Sequence, residues 1–172
     1  ILVKEGLRRL KDTENIGLRE LIRANGLEDM KITSYHVGFV LGPCINASGR
    51  LDTAARSLAL LNAKDREKAA RLAGDLTALN QSRKALTEKG KEEAIQMVET
   101  TSLGQDRVLV IFLPDCHESI AGIIAGRIRE KYHRPSIVLT RGETGIKGSG
   151  RSIEGYSMFE ELVKCADLMT QF

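Results

Sequence analysis

The first sixty residues carry hydrophobic positions at the three- and four-residue spacing of short amphipathic helices. This spacing, together with capping residues, predicts helices over 1–11, 16–24, 34–41 and 52–62. Gly42-Pro43 is expected to end the third helix, because proline lacks the backbone donor that a helix interior requires. Residues 44–50, with the sequence CINASGR, are therefore predicted to form a loop between helices.

The pattern changes twice further along the chain. Residues 65–99 keep helical apolar spacing with dense charge on the other faces, which predicts one long helix of the kind that connects two lobes. A continuous apolar run then predicts a buried strand. The elements expected in this last part are strands at 107–113 and 136–140, a helix at 118–132, a short third strand reaching 148–152 and a final helix at 157–168. The predicted fold class is α/β, with a helical N-terminal part, a long connecting helix and a small α/β lobe.

Composition and charge narrow the range of possible functions. The 172 residues are 42% hydrophobic and 28% charged, which is typical of a soluble globular protein. The net charge is +3, yet residues 127–151 hold seven Lys or Arg against two Glu. A basic stretch of this kind permits nucleic-acid binding. The three cysteines are far apart, which disfavours a disulfide framework or zinc site and indicates a reducing cytoplasm. No apolar run approaches the ~20 residues of a membrane helix.

The segment Gly148-Ser149-Gly150-Arg151-Ser152 is the sharpest candidate for chemistry. Glycines allow backbone N–H groups to approach an anion, and two hydroxyls and a guanidinium add donors suited to phosphate. Lys147 adds charge beside them. The alternative is a Gly- and Ser-rich turn with no ligand. The order of residues excludes a Walker loop.

Three weaker candidates remain open between a functional and a structural interpretation. Asn46 and Arg50 could hold a sugar or phosphate, or could belong to an ordinary solvated turn. Asn80 and Arg83 share one face of the long helix and could face nucleic acid or solvent. The predicted helix at 118–132 has one side of small residues, which favours close packing against it: Ala121, Gly122, Ala125 and Gly126.

The sequence Asp115-Cys116-His117-Glu118 follows a predicted buried strand, where functional loops are common. Four consecutive residues cannot all ligate one ion, so a turn and an acidic helix start are favoured. His117 is then a hydrogen-bond donor to phosphate. The sequence contains no nucleophile–base triad and no carboxylate–histidine cluster of a two-metal phosphodiesterase. We therefore assign no catalytic and no metal-binding residue.

Four motifs in this order resemble the RecJ exonucleases of the DHH phosphoesterase superfamily: NASGRL, LNQSR, HESIAGIIAGRIREKYHRPSIVL and GSGRS. The resemblance covers essentially the whole chain. It implies that residues 1–64 are the end of a catalytic domain, 65–99 the connecting helix, and 100–172 most of the DHH-associated, nucleic-acid-binding domain. Because the chain begins inside a helical pattern at Ile1, it is expected to be an internal piece of a longer protein.

The resemblance implies a hydrolase that degrades single-stranded DNA from the five-prime end with Mn²⁺ or Mg²⁺, in DNA repair and recombination. The metal ligands of the family precede the segment present here, so the segment alone is expected to bind no metal and to be inactive. Ser149 and Arg151 match positions that grip phosphate near the five-prime end. Asn46 and Arg50 match positions near the active-site cleft, and His117 matches the histidine that opens the associated-domain helix. The truncated N-terminal region is expected to self-associate through exposed apolar surface.

The chain departs from the family around His117. Cys116 stands where tryptophan is common, Ser119 where glycine is usual, and Ala121 where a larger aliphatic residue is usual. The alternatives are another superfamily phosphodiesterase, acting on oligoribonucleotides or cyclic dinucleotides, and a non-catalytic RNA-binding associated domain. The helical region with NASGRL disfavours the RNA-binding module.

Overall fold

The computed structural model describes residues 1–170, which divide into two compact units. The first unit is Ile1–Lys84, the second begins at Ala85, and one long helix contributes to both. The α-helices are α1 (Leu2–Lys11), α2 (Ile16–Ala24), α3 (Ser34–His36), α4 (Gly42–Leu51), α5 (Ala55–Leu61), α6 (Arg66–Thr100), α7 (Glu118–Tyr132) and α8 (Met158–Val163). The strands are β1 (Leu109–Phe112), β2 (Ser136–Gly142) and β3 (Gly145–Arg151).

The first unit is entirely helical, as its apolar spacing predicts. Asn15 caps α2 by accepting a hydrogen bond from the backbone N–H of Leu18. The inward faces of α2, α5 and α6 meet in a core whose fully buried side chains include Leu21, Leu60 and Leu76. The long helix predicted at 65–99 is confirmed as α6.

The predicted loop at 44–50 is wrong, because these residues lie in helix α4. A π-helical turn, Val37–Leu41, leads directly into α4, and the backbone N–H of Gly42 donates to the carbonyl of Val37. Pro43 falls in the first turn of α4, directly after this π-helical turn, and the helical backbone continues through it from Ser34 to Leu51. Proline therefore does not end the helix here.

Two smaller differences concern helix ends. Helix α5 begins at Ala55 and not at Asp52, whose carboxylate forms an ion pair with Arg56 instead of capping the helix. The final helix predicted at 157–168 is split into α8, capped by Ser157, and a 3-10 turn at Ala166–Leu168. Within residues 1–170, no helix is both long and apolar enough to cross a membrane.

The second unit contains a three-stranded sheet in the order β1-β2-β3, so the α/β fold class is confirmed. Helix α7 connects β1 to the parallel strand β2, and β3 returns antiparallel to β2 at the sheet edge. One face of α7 is buried together with one face of the sheet, and the side chains of this core include Ile120, Ile124, Ile128, Ile111 and Val138. Another face of α7, which contains Gly122, lies against β3, where the candidate phosphate-binding residues are located.

Candidate nucleic-acid interface

The predicted phosphate segment lies within edge strand β3 and not in a loop. Residues paired directly across an antiparallel sheet share one face. The pairs are Thr140 with Lys147, Val138 with Ser149 and Ser136 with Arg151. The three β2 residues are buried beneath α7. Lys147, Ser149 and Arg151 therefore form one row on the α7 side of the sheet, which we call the β3 row.

Helix α7 leaves space for the β3 row because it carries glycine at the point of contact. A Cβ atom at Gly122 would stand 2.6 Å from both Arg151 Nη2 and Ser149 Oγ. A Cβ at Gly126 would stand 4.0 Å from Arg151 Cγ, which is an ordinary contact. The side chain of Arg151 thus lies against α7 over these glycines. The expectation that the small-residue side of this helix permits close packing is confirmed for Gly122.

The guanidinium of Arg151 is exposed and only partly used by the protein. Its Nη1 donates to the carbonyl of Gly150 at 2.7 Å and approaches Ser149 Oγ at 3.4 Å. Among residues 1–170, Nε and Nη2 of Arg151 have no hydrogen-bond partner in the structure. These two donors point in parallel, which is the geometry that binds two oxygens of one phosphate.

Lys147 lies at the other end of the row and is paired with the start of α7. Its Nζ lies 2.7 Å from Glu118 Oε2. This hydrogen bond holds the pKa of the Glu118 carboxyl below its ordinary value and raises the pKa of the Lys147 ammonium. An incoming phosphate must therefore compete with Glu118 for Lys147. The sequence did not predict this pair, because only the pairing of β3 with β2 brings Lys147 close to Glu118.

His117 caps α7 and faces solvent. The loop that carries it is tied to β2, because the hydroxyl of Thr140 donates to the carbonyl of Cys116. Since Thr140 pairs with Lys147, His117 lies next to the Lys147 end of the β3 row. Burial raises the pKa of the Cys116 thiol, and Glu93 adds to the effect, so this cysteine is protonated at neutral pH.

Gly148 and Gly150 lie on the opposite face of β3, and Ser152 directly follows the strand. A Cβ at Gly148 would stand 2.8 Å from Leu139 Cδ2, and the space over Gly150 is filled by the sulfur of Met158. The Ser152 hydroxyl donates to the carbonyl of Tyr156, which stabilises the following turn. The glycines thus make room for the protein's own side chains. The structure does not bring Ser152 together with the β3 row.

In the first unit, Arg50 on α4 lies close enough to Arg83 on α6 for their charges to interact. Asn46 and Arg50 are four residues apart on α4, and both are exposed. Burial lowers the pKa of the Arg83 guanidinium, and the positive charge of Arg50 lowers it further. Two neighbouring cations repel each other, and a bound anion would relieve that repulsion.

Asn80 does not face nucleic acid, because its side chain is buried, with a relative exposure of 5%. Its Nδ2 contacts the sulfur of Cys44 at 3.5 Å. Its Oδ1 accepts hydrogen bonds from Nε and Nη2 of Arg83 at 3.2 and 3.0 Å. Asn80 therefore orients Arg83, and the expectation that it faces either nucleic acid or solvent is wrong.

Within the described residues, no group of three or more His, Cys, Asp or Glu side chains could hold a metal ion. The donor set of residues 1–170 therefore does not fit a divalent metal centre. The side chains of the β3 row are instead hydrogen-bond donors suited to an anion.

Comparison with known proteins gives consistent results. Residues 105–170 match the model of the DHHA1 domain. The single-stranded-DNA-specific exonuclease RecJ of Bacillus subtilis is 38% identical over 169 residues, covering 97% of this chain and 21% of that protein. The Escherichia coli RecJ is 35% identical over 167 residues, covering 94% of this chain and 29% of that protein.

Solved structures that resemble this chain are also RecJ exonucleases. The crystal structure of RecJ from Thermus thermophilus in complex with Mg²⁺ has a TM-score of 0.85 and 33% identity, covering 99% of this chain and 26% of that one. A structure of exonuclease RecJ bound to manganese has a TM-score of 0.84 and 33% identity, covering 98% of this chain and 41% of that one. The chain thus spans about a fifth to two fifths of the length of these proteins.

Proposed function

Because this chain is a homologue of the RecJ exonucleases over nearly its whole length and carries a DHHA1 domain at residues 105–170, we propose that it is the substrate-binding part of a metal-dependent exonuclease. The reaction is hydrolysis of single-stranded DNA from the five-prime end. The observation that carries the proposal is the β3 row, in which Arg151 has two parallel donors, Nε and Nη2, without a partner among residues 1–170. The biological setting that follows is DNA repair and recombination in the cytoplasm.

The β3 row can bind a terminal phosphate without reading a base. Arg151 offers Nε and Nη2 to two phosphate oxygens, and the neighbouring Ser149 hydroxyl offers a third donor. Contacts of this kind position a strand and carry no sequence information. A DNA end can reach the row because β3 lies at the edge of the sheet.

Within the first unit we propose a separate phosphate contact. Arg50 and Arg83 are close enough for their charges to repel each other. A phosphate between them would replace this repulsion with two attractive interactions. Asn46 lies on the same face of α4 as Arg50 and adds an amide donor. Asn80 keeps the guanidinium of Arg83 in position.

Related RecJ structures were solved in complex with Mg²⁺ or Mn²⁺, and the proposed enzyme uses one of these ions to activate water. Residues 1–170 offer no cluster of metal ligands, and we place the ligands elsewhere in the full-length protein. The chain alone is therefore expected to bind DNA and not to cleave it. Its own residues hold and orient the phosphate end.

We also propose that this chain self-associates through its N-terminal region. Tyr35 and Phe39 are exposed and stacked on each other, with ring centroids 5.1 Å apart. Burying apolar surface is favourable by roughly 25 cal/mol per Å². Sedimentation velocity over a range of concentrations measures this association, and a constant monomer at all concentrations would contradict it.

The proposed function is tested by fluorescence anisotropy with labelled single strands that carry either a five-prime phosphate or a five-prime hydroxyl. We expect wild type to prefer the phosphate, and Arg151→Ala to remove the preference. On a single strand, the slope of log affinity against log salt should become shallower by about 0.7, because one phosphate is no longer bound by a cation. The matched control is Arg127→Ala, which removes an exposed arginine of α7 that pairs with Glu130 at 3.1 Å.

Thermal melting separates binding from folding in this experiment. If Arg151 only stabilises its own strand through the Gly150 carbonyl, Arg151→Ala lowers the melting temperature and leaves affinity and salt slope unchanged. That result would contradict the proposal. Equal losses of affinity for Arg151→Ala and Arg127→Ala would also contradict it, because the binding would then depend on charge alone.

A further inference from the structure

The start of α7 contains two hydrogen-bond contacts that bear on which ring nitrogen of His117 carries the proton. Nδ1 of His117 lies 3.3 Å from the backbone nitrogen of Ser119 and 2.8 Å from the Ser119 hydroxyl oxygen. The first contact is the helix cap, in which the imidazole accepts the Ser119 N–H. Both contacts therefore converge on one ring nitrogen.

These contacts determine which ring nitrogen carries the proton. Because a backbone N–H is always a donor, the 3.3 Å contact favours an Nδ1 that accepts and carries no proton of its own. The shorter contact with the Ser119 hydroxyl, which then donates to Nδ1, strengthens this preference. A neutral imidazole has one protonated nitrogen, which leaves the proton on Nε2. The exposed edge of His117 is thus an N–H donor.

The position of His117 places its Nε2–H donor near the β3 row, where we propose that phosphate binds. The Cys116 carbonyl is bound by Thr140, and Thr140 pairs with Lys147. The adjacent Glu118 contacts Lys147 directly at 2.7 Å. His117 therefore extends the β3 row at its Lys147 end. An Nε2–H at this point attracts a phosphate oxygen, whereas an unprotonated Nε2 would repel it.

We infer that Ser119 is a positioning residue that holds His117 as an Nε2–H donor to a substrate phosphate. This inference rests on the proposed function, since it requires a phosphate at the β3 row. A glycine at position 119 would keep the backbone N–H of the cap but would lack the hydroxyl. The hydroxyl of Ser119 therefore supplies a second hydrogen bond to the same tautomer, and it is a feature of this chain.

The test compares Ser119→Ala with Ser119→Thr, which keeps a hydroxyl at the same position. Long-range ¹⁵N–¹H NMR of the histidine rings, in mildly alkaline buffer, identifies the protonated nitrogen of His117 directly. We expect the Nε2–H form alone in wild type and Ser119→Thr, and a mixture of both tautomers in Ser119→Ala. Affinity for a five-prime-phosphorylated single strand should fall by up to about twofold in Ser119→Ala, because the Nε2–H form is then only part of the population, and should be restored in Ser119→Thr.

His117→Ala distinguishes failure of this inference from failure of the proposed function. If His117→Ala weakens binding while Ser119→Ala changes neither tautomer nor affinity, Ser119 has no positioning role and the inference is wrong. If His117→Ala binds like wild type, His117 does not contact phosphate and the inference also fails. Loss of the phosphate preference in Arg151→Ala would still support the proposed function in either case.

Discussion

Replacing Gly122 with alanine should weaken DNA binding without destabilising the protein. The new Cβ would stand 2.6 Å from Arg151 Nη2 and from Ser149 Oγ. Ordinary contact begins near 3.5 Å, so both groups must move by roughly 0.9 Å. Both are ends of flexible side chains and can move. The displacement would disturb a charge-assisted hydrogen bond worth about 1.5–3 kcal/mol, so we expect affinity for a five-prime-phosphorylated strand to fall about tenfold or more.

Gly126→Ala is the matched control for this change. Both glycines lie in the interior of α7, so alanine should favour the helix by about 0.5–1 kcal/mol in each case. At Gly126 the added methyl group meets Arg151 Cγ at 4.0 Å and displaces nothing. Gly126→Ala should therefore stabilise the protein and bind DNA like wild type.

Anisotropy titrations and thermal melts of the two variants provide the comparison. The expected pattern is a loss of affinity in Gly122→Ala alone, with neither variant melting below wild type. Equal DNA affinity of Gly122→Ala, Gly126→Ala and wild type would refute the reasoning. It would mean that the place of Arg151 and Ser149 over α7 has no part in binding.

Three further predictions concern stability and reactivity. Leu76→Ala should lower the free energy of unfolding by about 2–5 kcal/mol in urea titrations, because Leu76 is fully buried. A maleimide should label the exposed Cys165 first, while the buried Cys44 reacts only after unfolding and Cys116, with its raised pKa, reacts slowly. Lys147 holds the pKa of Glu118 below its ordinary value of about 4.5, so their ion pair stabilises the folded state above that pH and is lost as pH falls through the lowered pKa. Wild type should therefore melt above Glu118→Gln at neutral pH, and the difference should vanish in acid; a difference that persists in acid would contradict the assignment.

Long periodic segments could be predicted from the sequence, whereas features set by tertiary contacts could not. The 35-residue helix α6 has helical spacing throughout and no proline, so local pattern was sufficient. Pro43 was predicted to end a helix, but the π turn at Val37–Leu41 carries the helical backbone past it. The residue pattern before Pro43 gave no signal of this turn.

The candidate site shows the same division. Arg151 and Ser149 were predicted from the residues and their resemblance to a family. The assignment of Gly148 and Gly150 to ligand approach missed that alternate residues of a strand face opposite sides, which places these glycines toward Leu139 and Met158. Asn80 was expected to face nucleic acid or solvent, because helical spacing alone cannot tell which face is buried.

The central claim is that phosphate binds along the β3 row. Chemical-shift mapping by NMR tests it most directly, with a short five-prime-phosphorylated single strand titrated into ¹⁵N-labelled protein. We predict the largest shifts at residues 147–151 and 117–122, together with the Nε–H signal of Arg151. Shifts that leave these residues unchanged while others move would contradict the claim.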